Sequence, residues 1–556
     1  MRLLALLLVC IASPVAAFAD CPRDGEPYPS FYASAARFED AVAREAGHPP
    51  SPTRLSGITV PHHLVAGHLI ARGFRAASGF AYERVILLTP DHFSRSGTPF
   101  ATTRLGFETV FGPVPVDREA VDALLGEDGA VASSCLFGRE HGLQALLPFM
   151  RHYLPGAKLV PVAISLEAGR SDWDRLAALL GSFADGRTLV VQSTDFSHYH
   201  PHERARLLDQ QVLNVVASGD LDEVALLTQP DHLDSLGALY IQMKLQKERY
   251  GARPVAIASE NQQQYASRRL TETTGYIVLI FGAFADSVFD HEDAAEVIYF
   301  AGDTHLGRAM TQALADADAV DRVTEAVLKR TQGRPLVVNL EGVILPNVPQ
   351  ALEHMTLAMP EALTIDLLRR LNVAAMGIAN NHTMDLGPSG LAETVRALHA
   401  AGIAWFGQGD RLDIGSVSVV GLADIDSNGP PFVDLLSADL LDRITVTDAT
   451  RPLVAFVHWG REHVTTPSAR ETFLADEMRL RGASVIVGAH PHVADGRLVP
   501  LAGGETVMAF SLGNFLFDQS APQASGALLE MRVFEQGTHF IRLLELPNLF
   551  DLARGG

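Results

Sequence analysis

Five apolar, strand-like runs in the second half of this chain each end in residues that bind metal ions. This recurrence limits what the chain can fold into more than any other feature. IYFAGDTH leads through Gly302 to Asp303 and His305. PLVVNLEG places Glu341 beyond the next run. AAMGIANNHTMD places Asn381, His382 and Asp385 beyond a third. LVAFVHWG ends a fourth run at His458, and SVIVGAHPH ends a fifth at His490 and His492. Short apolar runs bounded by glycine and polar residues have the pattern of buried strands. Carboxylate oxygens and imidazole nitrogens are donors that divalent metals take. Ligands of parallel α/β sheets collect beyond the carboxyl ends of the strands. The pattern therefore predicts one parallel-type sheet whose edge brings Asp303, His305, Glu341, Asn381, His458, His490 and His492 together.

The first half repeats the theme with different residues. The runs GITV, RVILL, KLVPVAI, TLVVQ and GYIVLIFG alternate with helical periodicity, which predicts a mainly parallel sheet with helices on both faces. Leu143, Leu146, Leu147, Met150 and Tyr153 give one helix face. Three runs end at His62, at His92 and at Asp195 with His198, so loops leaving one sheet edge can gather them. Residues 285–296 are acidic and poor in apolar side chains, and mark a linker. The second α/β unit spans 297–550; Ser468 with Glu471 three residues on is a capping box at the start of one of its helices, and Leu391, Val395 and Leu398 give another helix an apolar face.

Charge and targeting narrow the setting. A formal net charge of −21 over 556 residues excludes the basic footprint of a nucleic-acid partner. At the start, Arg2, the apolar run LLALLLVCIA and the small-x-small triplet Ala17-Phe18-Ala19 have the form of a secretory signal, residues 1–19, cleaved before Asp20. That apolar run is too short to span a bilayer comfortably. The mature chain, with its first domain at 20–284, is expected to be exported, soluble and without a transmembrane anchor. Cys21 and Cys135 then remain, open to a disulfide, to free thiols or to burial.

Two family resemblances join this reading. PHH-LVAGH at 61–68, TPDHFS at 89–94, EHGLQALLPF at 140–149 and STDFSHY at 193–199 resemble the signature blocks of the Memo family, in that family's order. The resemblance implies a fold like the class III extradiol dioxygenases and a metal, iron or copper, on His62 and His92. It also implies pocket roles for Asp195, His198 and His141. One departure stands out: the family's cysteine before a glycine is replaced, in DSLGALY, by Leu236 before Gly237, which removes one expected ligand.

The second series (D-x-H, NLEG, NNHTxDxG, HWG, HPH and SLGNFxFDQ) resembles the poly-γ-glutamate capsule-biosynthesis branch of the calcineurin-like metallophosphoesterases. The resemblance implies two divalent ions about 3.5–4 Å apart that clamp an in-line displacement at phosphorus. Mn, Fe, Zn and Mg all suit such ligands. Glu341 would bridge the ions. Asp303, His305 and His492 would complete one, and Asn381, His458 and His490 the other. His382 would protonate the leaving oxygen, oriented by Asp385. An exported dinuclear hydrolase acting on an anionic small molecule or polymer is thus expected. Two alternatives stand beside it: a capsule or envelope assembly protein with a structural or regulatory metal, and a Memo-type redox protein.

Overall fold

The computed structural model describes residues 21–22, 25–126, 129–284, 296–352, 355–425, 436–442, 444, 451–521 and 524–555. The signal sequence expected at 1–19 and the linker expected at 285–296, except Glu296, lie outside the described residues.

The first half builds one eight-stranded sheet from β1 (Gly57–Val60), β2 (Arg84–Pro90), β3 (Phe100–Thr102), β4 (Val131–Ser133), β5 (Lys158–Ile164), β6 (Thr188–Ser193), β7 (Arg253–Asn261) and β8 (Gly275–Gly282). Their order is β4-β3-β5-β2-β6-β1-β8-β7. The sheet is more mixed than the sequence predicts. The central β5, β2, β6 and β1 run parallel, but β3 meets β5 antiparallel, and β8 meets both β1 and β7 antiparallel. The two late strands close the sheet as a hairpin-like pair, with only the short 3-10 helix Gln262–Tyr265 and no α-helical crossover between them. Strands of the central group are buried on both faces, which accounts for their unbroken apolar runs. Val85 and Leu87 of β2 enter one core, and Ile86 and Leu88 enter the other. The segment expected as one helix is two, His141–Gln144 and Leu147–Tyr153. Pro148 sits in the first turn of the second, where its missing N–H costs nothing.

The second half contains β9 (Glu296–Thr304), β10 (Leu336–Leu340), β11 (Val343–Leu345), β12 (Ala358–Pro360), β13 (Val373–Gly377), β14 (Ala404–Phe406), β15 (Arg411–Ile414), β16 (Val417–Asp424), β17 (Leu453–Trp459), β18 (Val485–Ala489), β19 (Val499–Pro500), β20 (Val507–Ala509), β21 (Asn514–Leu516), β22 (Gly526–Val533) and β23 (His539–Leu546). The single sheet expected here is corrected to two large sheets and a separate parallel pair, β11 with β12. One runs β14-β13-β10-β9-β22-β23, with β21 also on β9; the other runs β15-β16-β17-β18-β20-β19. They share a core in which Ile298, Phe300 and Val337 of the first meet Val419, Val454, Phe456 and Val487 of the second. Each of these strands has two apolar faces, so one sheet alone would leave a face in water. The helix Ala469–Leu480 begins at the capping box, where Ser468 accepts from Arg470 N–H and Glu471 accepts from Ser468 N–H.

The two α/β domains pack on each other. Phe534 and Phe540, around the β22–β23 turn, join a core of the first domain. Gln210, in the helix His202–Ser218, donates to the His539 carbonyl at 2.9 Å and accepts from the His539 N–H at 2.8 Å, so its amide acts as a short piece of strand edge. Gln536 and Thr538 both reach the Ser259 hydroxyl. A disulfide joins Cys21 to Cys135, whose Cα atoms are 5.3 Å apart. Among the described residues no helix is long and apolar enough to cross a membrane.

Two candidate metal centres

In the first domain β2, β6 and β1 lie side by side and parallel, so the residues beyond their carboxyl ends share one edge. His62 follows β1, His92 follows β2, and Asp195 follows β6. The His62 and His92 ring centroids are 4.9 Å apart, and His141 stacks on His92 at 4.1 Å. The Asp195 carboxylate accepts from His62 N–H at 3.0 Å, and its other oxygen lies 3.7 Å from His62 Nε2. His62, His92 and His141 form one group able to hold a metal, and His62, Asp195 and Asp234 form another. His198 is in neither group; its ring lies against Tyr199.

Asp234 and Glu140 were not singled out from sequence. Asp234 Oδ2 is 3.1 Å from His62 Nε2 and 3.6 Å from His92 Nε2. Glu140, fully buried, holds His92 Nδ1 at 2.6 Å. A signal for Asp234 was present in DSLGALY, whose first residue is an acid two positions before the leucine that replaces the family cysteine. Gly142 leaves room for this pair, since a Cβ there would crowd Glu140 Oε1 at 3.2 Å and His92 Cε1 at 3.3 Å and would meet Thr89 Oγ1 at 2.4 Å. Burial works against charge on His92, but hydrogen bonds to Asp234 and Glu140 outweigh it and lift its pKa to about 10. Burial and the neighbouring imidazoles push His141 down to about 4.

In the second domain the site forms where the carboxyl ends of the two sheets converge. β13, β10 and β9 are adjacent and parallel, and they deliver Asn381 and His382, Glu341, and Asp303 with His305. β17 and β18 of the facing sheet deliver His458, His490 and His492. Glu341, His458 and His490 form one group with donor atoms within 4.8 Å of one another; Asp303, Glu341 and His492 form a second. Glu341 thus belongs to both. Asn381 Oδ1 lies 2.8 Å from His458 Nε2. His305 is buried with its Nδ1 3.2 Å from the Glu341 carbonyl, but it belongs to neither group. Asp385 Oδ2 holds His382 Nδ1 at 2.9 Å, and His382 Nε2 lies 3.8 Å from Glu341 Oε1. His490 and His492 have φ of 96° and 60°, a conformation strained for any residue with a side chain.

Residues beyond those named from sequence build this site. Asn339 donates to Asp303 at 2.8 Å and lies 3.2 Å from His458 Nδ1. Asn380 ties the His382 N–H to the carbonyl of Leu340. Asn514, in the SLGNF segment, holds His492 Nδ1 at 2.7 Å.

The donor set fits divalent cations. Among the described residues, Glu341 Oε2, His305 Nε2 and His490 Nδ1 are buried without a hydrogen-bond partner, an expensive state for polar atoms that ligation removes. Burial, and then the positive charges nearby, push His305 to about 3 and His458 well below its ordinary value, so both imidazoles are neutral donors at pH 7. Burial also lifts the Glu341 carboxyl to about 7, with His492 opposing and Asp303 adding to the shift.

Comparison with known proteins follows the same division. A "Memo-like protein" family model matches residues 24–259, and a "Bacterial capsule synthesis protein PGA_cap" model matches 297–420 and 426–519. A MEMO1 family protein of Caldivirga maquilingensis is 26% identical over 239 residues, covering 40% of this chain and 82% of that protein. The PGA biosynthesis protein CapA of Bacillus subtilis is 27% identical over 264 residues, covering 43% of this chain and 68% of that protein. A solved structure of a hypothetical protein from Thermus thermophilus aligns with 45% of this chain and 100% of its own at 18% identity, with a TM-score of 0.28. This chain carries a Memo-like domain and a bacterial capsule-synthesis PGA_cap domain in a single polypeptide.

Proposed function

We propose that the second domain, residues 297–550, has the calcineurin-like fold and is a dinuclear, metal-dependent hydrolase of a phosphoester or related bond. The reading extends to metabolism of poly-γ-glutamate capsule or another envelope polymer, the process in the name of its Bacillus subtilis relative. The observation that carries it is Glu341, the one carboxylate common to two adjoining donor groups. Asp303, His305 and His492 would hold one ion, and His458, His490 and Asn381 the other. Two such cations supply the charge that an in-line displacement at phosphorus needs.

This chain's own residues do the rest. Asn339 orients Asp303 and Asn514 orients His492, as outer hydrogen bonds orient ligands elsewhere. His382 is the proton donor to the leaving oxygen. Burial opposes its charge, but the Asp385 hydrogen bond outweighs that and raises its pKa, which keeps a proton available near neutrality.

The same reading places the protein outside the cytoplasm, with residues 1–19 removed, a Memo-like domain at 20–284 holding a metal on His62 and His92, and a linker at 285–296. The Cys21–Cys135 disulfide supports an oxidising compartment. N-terminal sequencing should find Asp20 first; an intact Met1 in the membrane fraction would contradict export as a cleaved protein. The test of activity is metal analysis of the purified chain beside a screen of phosphomonoesters and phosphodiesters. Two metals in the second domain with turnover is the expected result. Two metals with no turnover on a broad panel would favour a capsule-assembly protein, and fewer than two would end the dinuclear mechanism.

A further inference from the structure

We propose that Asp234 replaces the thiolate missing from the first domain, completing with His62 and His92 a two-histidine, one-carboxylate site that selects ferrous over cuprous ion. The inference rests on the reading that this pocket holds a metal, and adds the third ligand and the metal it favours.

The hydrogen bonds fix how each ligand faces. Ser193 Oγ donates its proton to the Gly142 carbonyl, so towards His62 Nδ1, 3.1 Å away, it can only accept. His62 Nδ1 therefore carries a proton, and Nε2 is the ligating atom. The buried Glu140 carboxylate accepts a hydrogen bond from His92 Nδ1–H at 2.6 Å, which keeps the proton on Nδ1 and leaves Nε2 to ligate there too. Metal-bound histidines are held in this way by a partner on the other nitrogen. Both Nε2 atoms converge on one oxygen, Asp234 Oδ2, at 3.1 and 3.6 Å. With metal–ligand bonds of about 2.1 Å, neighbouring ligand atoms lie about 3.0–3.4 Å apart, so the 3.1 Å pair already has the spacing of adjacent positions around one ion and the 3.6 Å pair needs only a small inward shift of His92 to reach it. Asp234 is itself held: Oδ1 accepts from Thr194 Oγ1 at 2.5 Å, and Oδ2 accepts from Asp195 N–H at 3.2 Å.

The donor types decide the metal. Leu236 is packed in a core and cannot ligate. Among the described residues both cysteines are consumed by the disulfide. Without a soft thiolate the site loses its preference for cuprous ion, while two imidazoles and one carboxylate with positions left open suit mononuclear ferrous ion. The open side is real in this fold: the His141 side chain is 43% exposed, and Phe93 beside it is 47% exposed. A small exogenous ligand can enter there.

The experiment uses the full mature chain, loaded anaerobically with ferrous ion and then exposed to nitric oxide. The readouts are iron per chain and the high-spin electron paramagnetic signal of a mononuclear iron–nitrosyl. Wild type should give that signal. Asp234→Asn keeps the shape and the acceptor for Thr194, and should weaken ferrous binding in the first domain at least about tenfold, with the signal lost and second-domain metal retained. Asp234→Glu should restore it. The double variant Asp234→Asn, Leu236→Cys should shift preference towards cuprous ion. If Asp234→Asn binds iron and nitric oxide as wild type does while His62→Ala does not, the pocket holds a metal but Asp234 is no ligand, and the proposal is overturned. If His62→Ala also leaves the signal unchanged, the metal reading of the pocket fails first.

Discussion

Replacing Glu341 by glutamine should change stability in opposite directions with and without metal. Metal-free, the carboxyl is lifted from 4.5 to about 7, chiefly by burial. An acid whose pKa is raised on folding costs stability as pH climbs through that interval, because the unfolded chain ionises first. At about 1.4 kcal/mol per pKa unit, the cost at pH 8 is about 3 kcal/mol, and at pH 5 it falls below about 1 kcal/mol. Glutamine keeps the shape and carries no such cost. In chelator at pH 8, Glu341→Gln should therefore melt about 6–12 °C higher than wild type, on a scale of about 2–4 °C per kcal/mol for a domain of this size, and the gap should mostly close at pH 5. With Mn²⁺ added the order should reverse. Wild type gains binding energy at both positions, whereas the variant lacks the shared charge that offsets the repulsion of two cations. Calorimetry of both proteins at two pH values, with and without metal, reads all four arms. A metal-free variant that melts lower than wild type at pH 8, or an equal rise of both on adding metal, would refute the reasoning.

Three further outcomes are expected. His382→Ala should keep its metal content and lose about 10²–10⁴-fold in turnover on any substrate found; loss of metal instead would make the residue a ligand or a structural support. His539 is buried at the domain contact, and burial with the nearby Arg206 charge lowers its pKa from 6.5 to about 3. A histidine lowered in this way contributes stability above its unfolded pKa that is lost as pH falls, by about 2 kcal/mol from pH 7 to pH 5, so His539→Leu should flatten the urea midpoint over that range. Cys135→Ser opens a loop that spans a sequence separation of 114 and should cost the oxidised protein about 2–4 kcal/mol, measured against wild type with and without reductant.

Much of both sites was legible in the chain because each strand and the loop that follows it are contiguous. An apolar run ending in D-x-H, NLEG or NNH announces both the buried strand and the donor beyond it. The capping box at Ser468 was legible for the same reason, since its two hydrogen bonds join residues three apart. By itself, then, the sequence determined which local segments are strands, which residues stand at their ends, and where the two families divide. Tertiary structure alone decided which ends meet. The second-domain donors come from two facing sheets because the strands have apolar side chains on both faces and must bury both. Asp234 precedes a helix, far from any strand end, and reaches His62 and His92 only because the chain folds back over β6. Phe534 and Phe540 look like ordinary sheet residues, yet they fill a core built by the other domain. Strand periodicity is short-range geometry written residue by residue, whereas strand order and sheet-to-sheet packing depend on where apolar surface from distant segments can be removed from water.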